Sequence, residues 1–137
     1  MITGEVKIKV TGTQTAGGEN DTTVSEAFGM CVKETEGYRL EYKEMPAEGM
    51  EVRNVITFTS NQAVISKKGA IETEIVFIPE KSTGLDYKTP FGVIEMEIVC
   101  DSIAIHNENN SVEIVYTLYA GGDPVSDCKT LIEVVPA

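Results

Sequence analysis

Acid–base or nucleophilic chemistry needs partnered side chains, and this sequence supplies few. His106 is the only imidazole in the chain. It stands beside Asn107-Glu108-Asn109-Asn110, a run of turn formers, which is the setting of a solvated turn residue and not of a general base. Cys31, Cys100 and Cys128 are widely spaced and form no Cys-x-x-Cys pair, so neither a zinc knuckle nor a redox motif is supported. Each lies in or beside an apolar, strand-like stretch, as a small buried hydrophobe in a reducing cytosol would. No Gly-x-Ser-x-Gly elbow or Gly-x-x-x-x-Gly-Lys phosphate loop occurs. The 22 Asp plus Glu could provide acid/base pairs or Ca²⁺ ligands. However, Glu72/Glu74 and Glu95/Glu97 sit on the polar parity of alternating segments, which is the pattern of a wet outer face. Asp123 and Asp127 lack the alternating ladder of a Ca²⁺ loop. The expectation is a protein that is not an enzyme and carries no metal or cofactor.

A second set of polar residues is more informative, because it shares a parity with the apolar ones. Tyr42 and Glu44 follow Leu40, Asn54 lies between Val52 and Ile56, Thr73 between Ile71 and Ile75, and Tyr116 between Ile114 and Leu118. If the apolar parity points inward, these groups point inward too. A ligand cavity is mostly apolar with a few placed polar groups. Tyr42, Glu44, Asn54, Thr73 and Tyr116 are therefore the candidate ligand-binding residues, with Glu44 near the mouth. The competing account is a filled interior in which these groups satisfy one another or water. Tyr87, Thr89, Pro90 and Phe91 raise the same question. Pro90 pushes Thr89 toward extended geometry and Gly92 permits a tight bend, so a structural corner accounts for them without a ligand.

The elements that would position these groups are strands. In Glu5-Val6-Lys7-Ile8-Lys9-Val10 every second residue is apolar, the pattern of a strand with one wet face. Val24, Phe28, Met30 and Val32 share a parity, as do Tyr38, Leu40 and Tyr42, then Val52, Ile56 and Phe58. Ala63-Val64-Ile65 forms a short strand ending at Lys67-Lys68-Gly69. Ile71, Ile75 and Phe77 share the next face, Ile94, Met96 and Ile98 another, and residues 112–119 are rich in β-branched and aromatic types. No stretch sustains a helical stripe, so little helix is expected. Short strands at regular spacing, without long crossovers, predict an all-β chain. They form a single antiparallel up-and-down β-barrel of roughly eight to ten strands, closed on itself so that no edge is left bare.

The chain has 137 residues and a formal net charge of −11, which fits one domain spanning residues 1–137. That charge leaves no basic footprint for nucleic acid or an anionic membrane surface. The N-terminal residues carry no basic region followed by an apolar one, so no signal peptide is expected and the location is read as cytoplasmic. The expected partner is a small amphipathic ligand in the barrel lumen. The alternative is an interaction module with a filled barrel, self-associating through the outer face of residues 112–119, where Val115 and Tyr119 lie opposite Ile114 and Tyr116.

From Ser60 onward the order of segments resembles a known family. Val64-Ile65-Ser66-Lys67-Lys68-Gly69 precedes an apolar strand ending in Phe77. Then comes Gly84-Leu85-Asp86-Tyr87-Lys88-Thr89-Pro90-Phe91-Gly92, followed by Ile94-Glu95-Met96-Glu97 and later Val115-Tyr116-Thr117-Leu118. Gly12-Thr13-Gln14 and Leu40-Glu41-Tyr42-Lys43-Glu44 fit the same order. This resembles the YwiB-like bacterial family, a domain of unknown function, over nearly the whole chain. Tyr87-Lys88-Thr89-Pro90-Phe91-Gly92 is the most specific piece. Lys67-Lys68-Gly69 departs from the family's pattern of an Arg shortly before that Gly, so no guanidinium role is carried over. The resemblance implies a calycin-type barrel related in shape to lipocalins and fatty-acid carriers. It implies no particular ligand, because function taken from fold alone is analogy.

Overall fold

The computed structural model describes residues 1–137, apart from the side chains of Tyr87 and Thr89; the corner role read for those two lies outside the described residues. Ten strands follow one another: β1 (Gly4–Ala16), β2 (Glu19–Lys33), β3 (Tyr38–Ala47), β4 (Met50–Phe58) and β5 (Ala63–Gly69). The second half holds β6 (Thr73–Phe77), β7 (Ser82–Thr89), β8 (Gly92–His106), β9 (Ser111–Ala120) and β10 (Asp123–Pro136). Among the described residues the one helical element is a 3₁₀ turn at Asn107–Asn109, closed by Asn110 in the left-handed region at φ 50°, a conformation asparagine tolerates.

All neighbouring strands are antiparallel, in the order β6-β5-β4-β3-β2-β1-β10-β9-β8-β7. Apart from β6 and β7, each strand thus pairs with its neighbours in sequence, and β1 and β10 pair with each other. This is an up-and-down barrel that is nearly closed. The seam lies between β6 and β7, which meet through one isolated bridge, Glu72 to Lys88. Lys88 N donates to Glu72 O at 3.2 Å, and two side chains help, Thr83 Oγ1 donating to Val76 O and Thr73 Oγ1 to Asp86 O.

Strand alternation divides the wall as the sequence implies. Val6 and Ile8, Leu40, Ile56 and Phe58, Phe77, Ile98, Ile114, Ile132 and Val134 are buried inside. Glu72, Glu74, Glu95 and Glu97 are exposed outside. The N-terminus plugs one end, where Ile2 N donates to Asn110 Oδ1 at 2.9 Å and Met1 and Ile2 pack on the core. Phe77 and Tyr116 meet across the interior at 4.8 Å between ring centroids.

Two expectations are corrected. The apolar parity of β2 points outward, so Val24, Met30 and Phe28 are exposed, the last at 72%. Register is the reason. Val6 and Ile8 face inward and pair with Gly29 and Ala27, so the small residues of β2 take the interior positions beside them. Gly29 must be small, because a Cβ there would lie 2.1 Å from Glu41 O. The second correction is β7. Residues 82–89, not read as a strand, pair with β8 from Ser82↔Val99 to Thr89↔Gly92, and the tight bend expected at Pro90 and Gly92 is the β7–β8 turn, with Gly92 at φ 132°. β8 itself runs unbroken from Gly92 to His106, with a register shift between Cys100 and Ser102 where the alternation breaks.

Candidate functional site

The barrel is filled at one end and hollow toward the other. Leu40, Phe58, Phe77, Ile114 and Ile132 occupy the filled half. Two to four residues further along these strands, and on β5 beside them, the inward positions become Tyr42 and Glu44 on β3, Asn54 on β4, Lys67 on β5, Tyr116 on β9 and Thr130 on β10. A cavity of ≈ 410 Å³ opens there. Val10, Ile56, Ile65 and Ile75 supply its apolar wall, and Tyr42, Glu44, Lys67, Tyr116 and Thr130 its polar one. Its mouth is bounded by exposed Gln14, Asp21 and Thr23 of the β1–β2 hairpin.

The mouth follows from how β2 pairs. Only Gly29–Lys33 of β2 pair with β3, against Tyr38–Tyr42. Residues 19–28 are laddered to β1 alone among the described residues. β2 and β3 therefore part beyond Tyr42, and the wall opens beside Glu44.

Three side chains form a closed set on the β3–β5 wall. Asn54 Nδ2 donates to Glu44 Oε1 at 2.7 Å. Lys67 Nζ donates to the same oxygen at 3.1 Å and to Asn54 Oδ1 at 2.7 Å. Asn54 is 1% exposed and has both ends of its amide satisfied, as a buried amide requires. Lys67 and Glu44 neutralise each other while keeping some contact with solvent.

Tyr42 is 7% exposed and lines the cavity. Its hydroxyl has no hydrogen-bond partner among the described residues, yet it is not sealed from open space. Burial, and then the charge of Glu44, push the Tyr42 phenol well above its ordinary range. Tyr116 Oη lies 3.4 Å from Thr130 Oγ1, and burial raises its pKa too.

Three of the five residues expected at the site, Tyr42, Glu44 and Tyr116, therefore line the cavity, while Asn54 is buried behind it and holds Glu44 and Lys67. Thr73 is buried but sits at the β6–β7 seam, where its hydroxyl donates to Asp86 O at 3.3 Å, and it does not line the cavity. The residue that sequence reasoning passed over is Lys67. Its signal was present, since Lys67 shares the parity of Ala63 and Ile65, but it fell in a Lys-Lys-Gly run taken as the end of the strand.

The remaining chemistry-bearing residues stand apart. Cys31, Cys100 and Cys128 are free and buried, and burial pushes all three thiols up. His106 ends β8 with Nδ1 3.8 Å from Glu108 Oε1. Among the described residues, no three His, Cys, Asp or Glu side chains are grouped as metal ligands. Among the described residues no helix is long and apolar enough to cross a membrane.

No curated protein matches the chain. Its fold is similar to that of the crystal structure of ywiB protein from Bacillus subtilis, with a TM-score of 0.78 and 18% identity, over 95% of this chain and 91% of that one. At that identity the likeness speaks to the fold alone. The sequence itself matches the family described as a domain of unknown function, DUF1934, over residues 8–132, and with the ten-stranded barrel already in view this places the chain in that YwiB-like family.

Proposed function

We propose that this protein is a non-catalytic binder of a small amphipathic molecule, taken into the lumen of a calycin-type barrel in the cytosol. The observation that carries the reading is the ≈ 410 Å³ cavity into which the otherwise buried Tyr42 brings a hydroxyl with no partner among the described residues. A cavity of that size falls in the range of small-molecule sites. An unpaired polar group beside an apolar wall suits a guest with a polar end and an apolar body. Tyr42, Glu44 and Tyr116 orient the guest in this reading, Asn54 positions Glu44 and Lys67, and Thr73 holds the seam. Neither nucleic acid nor a membrane is a partner, which the formal charge of −11 supports.

A thermal-shift screen of small amphipathic compounds, paired with native mass spectrometry, tests it. A compound that raises the melting temperature and stays bound at one per chain is the expected result. A broad screen with no stabilising compound and no bound mass refutes it.

One observation favours a second reading, an interaction role for the outer wall. Exposed Val24, Phe28 and Met30 form an apolar strip on β2. Val115 and Tyr119 of β9, the earlier candidates for self-association, are half-buried. Light scattering at high concentration tests this: a persistent monomer removes self-association.

A further inference from the structure

We infer that the lumen selects an uncharged head group able both to donate and to accept hydrogen bonds, of the primary-amide or alcohol kind, and discriminates against alkyl carboxylates and alkylammonium ions. This deepens the lumen-binding reading and rests on it. A carboxylate guest needs a cation that is free to meet it. Lys67 is the inward-facing cation of the β3–β5 wall, and its ammonium already serves Glu44 Oε1 at 3.1 Å and Asn54 Oδ1 at 2.7 Å. A carboxylate would have to displace Glu44 or sit beside it, adding negative charge in a chain that carries −11. An alkylammonium ion would meet the mirror problem at Lys67. The other charged residues bordering the cavity, Asp21 and Lys129, are exposed at its rim, where water already serves them. Either ion would therefore leave water for an interior whose own charges, Glu44 and Lys67, are already matched, and burying an unpaired charge costs far more than burying a hydrogen-bonded neutral group.

What the site leaves unused suits a neutral head. Tyr42 Oη can donate and accept and has no partner among the described residues. Glu44 takes both of its hydrogen bonds on Oε1, so Oε2 remains as an acceptor. Lys67 uses two of the three N–H donors of an ammonium. An amide or hydroxyl on the guest can meet a donor and an acceptor at once without changing the charge of the site. Its tail then lies along Ile56, Ile65 and Ile75.

Three probes with one tail test the inference: octanamide, sodium octanoate and octylammonium chloride, titrated into the ¹⁵N-labelled full chain and followed by NMR. Octanamide is expected to bind, with shifts at the amides of Tyr42 and Lys67, and both ions about tenfold more weakly or worse. Either ion binding in the lumen as tightly as octanamide overturns the inference while leaving lumen binding standing. No lumen binding by any of the three overturns the inference and counts against the reading beneath it. Tyr42→Phe removes an oxygen with no partner in the described structure, so the native spectrum should persist. Its octanamide affinity should fall about tenfold, and an unchanged affinity also overturns the inference. Glu44→Gln frees Lys67 and should raise octanoate affinity about tenfold; no gain in that variant, with a native spectrum, counts equally against it.

Discussion

Replacing Lys67 with methionine tests whether the three polar side chains of the β3–β5 wall act as a set. The substitution keeps most of the aliphatic stem and removes the ammonium. Asn54 Oδ1 then loses its donor at 2.7 Å in a residue only 1% exposed. An unpaired buried acceptor costs about 1–3 kcal/mol. Glu44 loses its counter-ion as well, but its side chain is 24% exposed, so water offsets most of that loss and it adds about 0.5 kcal/mol. The expected destabilisation is about 1.5–3.5 kcal/mol. In a chain of this size each kcal/mol lowers the melting temperature by about 3–4 °C, so the fall should be about 5–14 °C. Lys68→Met is the control, since Lys68 is exposed on the opposite parity and should change stability by less than about 0.5 kcal/mol. Both are read by circular dichroism melts beside the parent chain. The double variant Asn54→Leu/Lys67→Met should be less destabilised than the sum of its singles, by about 1 kcal/mol, because each single already breaks the shared bond. If Lys67→Met and Lys68→Met melt together, the reasoning is refuted.

Gly29→Ala should cost about 2–3 kcal/mol in urea unfolding, because its Cβ would meet Glu41 O at 2.1 Å and Tyr42 Cβ at 2.9 Å; an unchanged midpoint would show that β2 and β3 do not approach so closely. Thr83→Val removes the side-chain bond to Val76 O across the seam and should cost about 1 kcal/mol, seen as faster hydrogen exchange over residues 82–89. Exchange unchanged there would place the weakest join of the barrel elsewhere. Stability should also decline on the alkaline side. Burial raises the pKa of Cys31, Cys100 and Cys128 above 9.0, and of Tyr42 and Tyr116 above 10.0. The folded chain therefore holds protons that the unfolded chain releases, so this contribution is intact below about pH 9 and is lost as pH rises further. Urea midpoints at pH 7, 9 and 10.5 should fall in that order, and a flat series would contradict the burial of these groups.

The barrel was legible because strand alternation is a local signal. Glu5-Val6-Lys7-Ile8-Lys9-Val10 states its two faces without reference to anything else. What failed was the assumption that the more apolar parity must be the inner one. β2 breaks that rule because a barrel interior has a volume as well as a polarity. Val6 and Ile8 already fill the space opposite, and β3 comes too close to Gly29 for a side chain. The sequence of β2 alone contains neither constraint. β7 was hidden for a related reason. Gly84, Asp86 and Lys88 are turn and surface types, and only pairing with β8 on one side and the seam on the other makes a strand of them.

Parity also located the cavity's Tyr42, Glu44 and Tyr116, and Asn54 behind them, because they interrupt apolar positions that would otherwise be continuous. It could not tell a seam residue from a lumen residue, as Thr73 shows, since strand order around a barrel is not a local property. It also undervalued Lys67, whose charge suggested solvent until Glu44 and Asn54 were placed beside it. The contrast between the two halves of the interior bears on function more than any one residue does. The filled half shows that this chain can close a barrel with leucine, isoleucine and phenylalanine. A half-buried ion pair with an amide, like Glu44, Lys67 and Asn54, is no more stabilising than a well-packed apolar substitute and is often less so. Carrying one at the edge of an open cavity, with a tyrosine hydroxyl left unpaired beside it, gives up packing that the same strands achieve a few residues away. That sacrifice has a physical return if a guest completes the hydrogen bonds.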